Sequence, residues 1–497
     1  MLASLCLAAI YLAVMNGHNT SSDGLLIYRQ GLALAHGSLH FPKPIFWGAN
    51  YLTSKYGIGL SLLYVPGVTL ASWLGYVPAP AHPGTYSWGL LYADPVYAIG
   101  AAPVNAFVTA VTGYLVARFV TDLGFERPTA VFALAAFGIA SPALVYARSD
   151  FAQPLLGLCL ISALLAGFRY RRSSTPGALV VAGASLCLGV LSRPVEGSFL
   201  LPALLSLIVP ISRPRQWTPT TRRGVAVVLG SYLIAVIITL LINWGRYGSP
   251  LLTGYSAEGW TTPLWIGLPG ILASPGRSIL LSFPLAFLAP LGLRRLWLSD
   301  QGLVAAVFAG LVTLLLLNSA LWSPWWGGWD WGSRLFVPAF PVLAILAAIA
   351  ASSLRRRLRI WLPALLFLGG VAWAVPGTVT DLLGGYAATY DGGRQSFQLS
   401  AYPPIGGWAF LKHARSYSLM DSSGLDIVWL RVARVTNNAS LMAPAILLGL
   451  AMAMAIAAAR ILVTPVRRRT EWRRMEQDEQ QKSAINGSES TRPTDAS

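Results

Sequence analysis

Charge is what this sequence has least of. Only 11% of its 497 residues are Asp, Glu, Lys or Arg, where a soluble domain carries about a quarter. With 55% hydrophobic residues and a mean hydropathy of +0.58, an ordinary soluble domain is excluded. Cysteine is nearly missing: Cys6, Cys159 and Cys187 all lie in apolar runs, and an odd number so placed gives neither a disulfide framework nor a zinc site. Acids are few, 19 against 36 Lys and Arg, leaving a net charge of +17. That balance would suit a nucleic acid, but the arginines fall in short clusters between apolar runs, as membrane topology demands. No nucleic acid partner is expected. Nor does any internal repeat show at a sensible period.

What is present is a series of apolar runs near the roughly 20-residue length of a membrane span. They cover 2–16, 96–117, 129–146, 152–168, 177–192, 196–211, 225–243, 278–293, 302–320, 335–353, 360–376 and 439–460. The first has no preceding basic residue and reads as a spanning helix rather than a signal peptide. The expected fold is therefore all-α, a polytopic integral membrane protein with about twelve transmembrane helices. Arg118 with Arg127, Arg169/Arg171/Arg172, Arg213/Arg215/Arg222/Arg223, Arg294/Arg295, Arg355/Arg356/Arg357/Arg359 and Arg467/Arg468/Arg469 then share one side. The positive-inside bias makes that side cytoplasmic. Stretch 56–76 is apolar enough to span, but doing so would move the first loop to the cytoplasm. Gly57, Gly59, Pro66 and Gly67 loosen it, and it is read as interfacial. The transmembrane domain is set at 1–463, with outer loops 17–95, 244–277, 321–334 and 377–438. A disordered cytoplasmic tail, 464–497, follows.

Apart from Glu196 and Arg460, the end residues of two runs, the runs hold no Asp, Glu, Lys, Arg or His. Ion-coupled transporters normally keep such groups near the midplane, so chemistry is expected at one membrane face. All five histidines and ten of the 19 acids fall in loops placed outside. The first outer loop alone gathers Asp23, His18, His36, His40, Arg29, Lys43 and Lys55. Asp23 is either a reactive carboxylate or the N-cap of the helix that begins LLIYRQG. His36 or His40 with an acid could hold a divalent ion, yet no spacing resembles a metal-ligand signature; a divalent metal stays open and no metal ligand or cofactor is assigned.

Later outer turns add candidates. Trp322, Trp325, Trp326, Trp329 and Trp331 form either an interfacial aromatic belt or a stacking wall for a ligand, with Asp330 as hydroxyl acceptor and Arg334 on phosphate. Gly327, Gly328 and Gly332 would let backbone come close. Arg148 and Asp150 lie two apart in one turn, and Arg193 and Glu196 in another; each pair either satisfies itself or meets substrate.

The order of SSDGLLIYRQGLALAHGS, KPIFWGANYLTSKYGIGLSLLYVP, the turn SPALVYARSDFAQP and the stretch WWGGWDWGSRLFVPAFPVLAI resembles the GT-C superfamily of membrane glycosyltransferases. It is most similar to bacterial relatives of the dolichyl-phosphate-mannose protein mannosyltransferases. The resemblance implies interfacial helices in the first outer loop and an inverting transfer of a sugar. The donor would be a polyprenyl-phosphate sugar, and the acceptor a hydroxyl of a glycan, lipid or protein, on the extracytoplasmic face of the cell membrane. It also implies that Asp23 is the base. Substrate would be met by Lys55, Arg193, Arg334, Asp330, Trp329, Arg148 and Asp150. Where many members carry a second acid after this aspartate, Gly24 stands here. The alternative from another class is a lipid or polysaccharide transporter, a flippase without covalent chemistry.

Overall fold

The computed structural model describes residues 2–41, 45–46, 50–78, 94–209, 217–255, 258–328, 330–355, 357–380, 395–402, 405 and 425–430. Among these the chain is all-α, apart from a two-residue antiparallel pairing of Ile45–Phe46 with Asn50–Tyr51. The principal helices are α1 (Leu2–Ala13), α2 (Ser22–Ala35), α3 (Gly59–Trp73), α4 (Ala102–Asp122), α5 (Arg127–Gly138) and α6 (Gln153–Ser173). They continue with α7 (Pro176–Ser192), α8 (Pro219–Tyr247), α9 (Gly302–Leu321), α10 (Phe340–Ser353) and α11 (Leu358–Val379).

Local chemistry sets several boundaries. Thr218 caps α8 by accepting from Thr221 N, Pro219 follows at the first turn, and Gly248 closes the helix at φ 70°, the usual Thr-Pro start and glycine stop. α6 ends on Arg171 and Arg172, where the helix dipole favours cations.

Among the described residues, six segments are long and apolar enough to cross a membrane: Pro95–Asp122, Gln153–Ser173, Pro219–Tyr247, Gly302–Leu321, Arg334–Ser353 and Leu358–Val379. Several of the other expected runs are interrupted or short. Run 278–293 is broken where Phe283 turns extended before Pro284, giving Ile279–Ser282, a 3-10 turn over Pro284–Leu288 and Ala289–Trp297; proline has no N–H to continue the ladder. Run 129–146 stops at Gly138 and resumes over Ala143–Tyr146. Other runs fold as shorter apolar helices, α1, α7 and Pro194–Ile208 among them. The final run, 439–460, and the tail lie outside the described residues. So does most of the expected loop 377–438.

α3 covers 15 residues, about 22 Å at 1.5 Å per residue, and packs against α2. Its Gly67 meets Gly100 so closely that a Cβ on either would overlap the other's backbone.

α10 is the axis of the bundle. Every residue from Phe340 to Ala351 is buried, and its five alanines let neighbours approach closely. α8 is its opposite: Leu229, Leu233, Ile234, Ile237, Leu241 and Trp244 are exposed, an apolar surface suited to lipid tails. Along α10, one end leads from Arg334 and the other runs into the arginines that open α11. Fourteen helical residues separate those ends by about 21 Å.

Candidate active site

The start of α2 is fixed by a carboxylate from far along the chain. Asp150 accepts from Thr20 N at 2.8 Å, Thr20 Oγ1 at 2.6 Å, Ser21 Oγ at 2.9 Å and Asn19 Nδ2 at 3.2 Å. Burial pushes the Asp150 carboxyl up, and these bonds pull it back only partly. Ser21 is the N-cap of α2, its hydroxyl accepting from Gly24 N at 2.9 Å. The capping role open to Asp23 is thus filled by Ser21. Gly24 is required, because a Cβ there would overlap the Asp150 carboxylate. Asp23 is left on the first turn with its side chain 23% exposed.

The opposite wall is the tryptophan-rich turn. Gly327, Gly328 and Gly332 have φ of 83°, 89° and 68°, the left-handed region glycine enters without strain. That winding presents carbonyls inward. Arg277 Nη1 donates to Asp330 O at 2.9 Å and Gly332 O at 2.8 Å, and its Nη2 to Gly328 O at 2.8 Å. Arg277 also forms a close ion pair with the Asp330 carboxylate. Asp330 Oδ2 lies 2.9 Å from Arg334 Nε, although neither atom is aligned for a hydrogen bond. Burial pushes the Asp330 carboxyl up to about 6, against the pull of Arg277 and Arg334.

Arg334 joins the two walls. Its Nη1 donates to Asp23 Oδ2 at 2.8 Å, and its guanidinium carbon sits 4.4 Å from the centre of the Phe151 ring. Burial alone would raise the Asp23 carboxyl. Arg334, the Tyr56 hydroxyl and Lys55 outweigh it and hold Asp23 below the ordinary carboxylate value.

Beside this pair opens a cavity of about 310 Å³. Asp23, Tyr56, Tyr255, Trp260, Trp322, Gln153, Asn318, Arg193, Glu196 and Glu258 line it. Flat aromatic faces beside amide and carboxylate acceptors are the surfaces a sugar ring needs. Most cations here already have acids. Arg193 Nε donates to Glu196 Oε1 at 2.8 Å, and Lys55 forms a close ion pair with Glu258 between the rings of Tyr56 and Tyr255. Arg246, in the last turn of α8, is not part of this lining but sits behind Tyr56. It is 8% exposed and donates Nη1 to Tyr56 O at 2.8 Å, while Nε and Nη2 have no partner among the described residues.

Of the residues singled out from sequence, Asp23, Arg334, Asp330, Lys55 and Arg193 come together here. Arg148 and Asp150 are brought close in sequence but do not pair. Arg148 bonds Asp426 Oδ2 at 2.6 Å and Asp426 O at 2.7 Å, and Asp426 Oδ1 lies 2.8 Å from His18 Nε2. Both Arg148 and Asp150 are buried and line no part of the cavity; they tie loops together. Trp329 lies outside the described residues. Trp325 and Trp331 are buried, packed on Phe397 and Trp373 respectively, and the indoles that line the cavity are Trp322 and Trp260. His40 is exposed, and among the described residues no three His, Cys, Asp or Glu side chains cluster as a metal site would. Sequence reasoning missed the roles of Arg277 and Arg246, which no motif marks; it reached Tyr56 only as a neighbour of Lys55, and Glu258 only as one polar residue of the outer segment 245–277.

No protein-family model and no curated protein matches the sequence. Solved structures do. The chain is similar to ArnT from Cupriavidus metallidurans in the apo state, with 16% identity, a TM-score of 0.49, and coverage of 93% of this chain and 75% of that one. ArnT from the same organism bound to undecaprenyl phosphate is similar at 13% identity and TM-score 0.47, over 93% and 76%. The archaeal oligosaccharyltransferase AglB from Archaeoglobus fulgidus, in complex with an inhibitory peptide and a dolichol-phosphate, is similar at 16% identity and TM-score 0.44, over 79% and 56%.

Proposed function

We propose that the protein is an inverting glycosyltransferase. It moves a sugar from a polyprenyl-phosphate donor to an acceptor hydroxyl at the membrane face opposite the arginine clusters. The observation that carries this reading is the 2.8 Å contact between Asp23 and Arg334 on the edge of a cavity lined by Trp322, Trp260, Tyr255 and hydroxyl acceptors. A carboxylate takes the acceptor's proton as its oxygen attacks the anomeric carbon. The bond from that carbon to the phosphate oxygen breaks, and the lipid phosphate leaves with the electron pair. Its growing charge needs cations already in place.

Arg246 supports the donor half of the reading, because its two unpartnered N–H groups are what a phosphate would satisfy. α8, which carries it, offers the lipid chain an exposed apolar flank. In the resting state Arg334 neutralises Asp23. A donor phosphate that draws Arg334 away returns basicity to the carboxylate when the donor is seated. The extracytoplasmic orientation follows from the arginine bias.

The test is Asp23→Asn, assayed for transfer from a polyprenyl-phosphate sugar and for donor binding. Turnover is expected to fall roughly 10²–10⁴-fold, the worth of a general base, with donor binding retained. Unchanged turnover would remove Asp23 as base, and lipid translocation without any sugar transfer would favour a flippase.

A further inference from the structure

A second cavity lies at the other end of the bundle, about 500 Å³ in volume. It is a groove between the first turns of α5 (Pro128, Phe132, Ala135), the last turns of α10 (Ala351, Ser352) and the start of α11 (Arg359 to Phe367). α10 runs between this groove and the Asp23 site. Its walls are alanine, proline and phenylalanine, with Phe132 and Phe367 ring centres 6.3 Å apart at its side. Arg359 sits at its rim and Phe367 eight residues further along α11, a depth of about 12 Å.

Of the residues that line the groove, Arg359 is the one that carries charge, and Glu126, exposed just before α5, makes no ion pair among the described residues. Elsewhere on this face Asp122 takes Arg169 at 2.6 Å and Arg118 at 3.7 Å. No carboxylate lines the groove, and none pairs with Arg295, Arg355, Arg357 or Arg359 among the described residues. Arg295 instead donates to Ser352 Oγ at 2.8 Å and Ile349 O at 3.1 Å, which anchors its cation beside the groove wall. An apolar slot that opens beneath uncompensated arginines at a bilayer face matches one class of molecule: a phospholipid whose headgroup is anionic.

We infer that this groove holds an anionic phospholipid of the arginine-side leaflet, one acyl chain between α5 and α11 and the phosphodiester on Arg359. It is a site separate from the transfer cavity. The lipid would fill the space between α11 and the pair α5 and α10, bracing the helix whose far end supplies the Thr378 carbonyl to Arg148.

The full-length protein in detergent, titrated with phosphatidylglycerol or phosphatidylcholine of identical chains and read by native mass spectrometry, tests this. Wild type is expected to retain one phosphatidylglycerol where phosphatidylcholine is lost. Arg359→Gln should weaken retention roughly fivefold, the effect of one basic residue at an anionic surface, while Arg222→Gln, on the same face outside the groove, leaves it unchanged. Ala135→Trp, which fills the slot, should abolish retention; Ala364→Phe does the same from α11 if the first variant fails to fold. Equal retention of the two lipids, or equal loss in Arg359→Gln and Arg222→Gln, overturns the proposal.

Discussion

Arg334 donates to Asp23 at 2.8 Å across 311 residues of sequence, and that bond sets the charge state of the candidate base. With Arg334 replaced by Gln, burial remains and its main counterweight is gone, so the Asp23 carboxyl must rise. The acidic limb of kcat/KM, which reports the free enzyme, is expected to move to higher pH in Arg334→Gln. In the wild type it lies below the ordinary carboxylate range, since the base acts only when ionised. A limb that stays in place would mean that another group is the base.

Asp330 gives a prediction about stability. It is buried between Arg277 and Arg334, and Asp330→Asn leaves the Arg277 cation without its carboxylate. Removing one partner of a buried pair costs about 3 kcal/mol or more. The folded carboxyl, at about 6, binds protons more tightly than its unfolded form near 3.8. Asp330 therefore opposes stability increasingly as pH climbs from 3.8 to 6. As pH falls below about 6 the wild type takes up this proton and recovers that stability, whereas Asp330→Asn has no group there to titrate, so the gap between them widens. Thermal unfolding in detergent at pH 5 and pH 7.5 should show the larger difference at pH 5.

Arg246 separates donor binding from chemistry. If its free Nε and Nη2 receive the lipid phosphate, Arg246→Gln raises donor KM by about tenfold or more, the worth of a charged hydrogen bond, with little change in the pH profile. A lower kcat at unaltered KM would instead assign Arg246 to holding the Tyr56 carbonyl.

The pieces legible in the sequence were those where polarity stood out against an apolar background. Asp23 follows the first apolar run and Arg334 precedes another, so both were visible as unusual charges at helix ends. The geometry that links them was not. Arg148 and Asp150 looked like a local pair, but the turn sends one side chain to Asp426 and the other to Thr20, and spacing of two residues carries no information on that divergence. Arg277 and Glu258 lie in a proline-rich segment with no motif, and their roles arise only when the tryptophan-rich turn and the Ser54–Tyr56 segment pack against it. Hydropathy is blind to backbone breaks: Phe283-Pro284 is as apolar as its surroundings yet ends a helix.

Gly24 tests whether Asp150 acts through position rather than contact. A methyl at Gly24 meets the Asp150 carboxylate, so Gly24→Ala should cost about 1–3 kcal/mol, as overpacking does. It should also lower kcat by shifting Asp23 away from Arg334. Asp150→Ala alone strands the donors of Asn19, Thr20 and Ser21 and is expected to be destabilising as well. Together the two changes relieve the clash, because the atoms that the new methyl meets are those that Asp150→Ala removes. The double variant should therefore lose less stability than the sum of the singles, a coupling of about 0.5 kcal/mol or more in a cycle measured by thermal unfolding. Strict additivity would show that the α2 corner relaxes independently of Asp150, and Asp23 would then owe its placement to Arg334 alone.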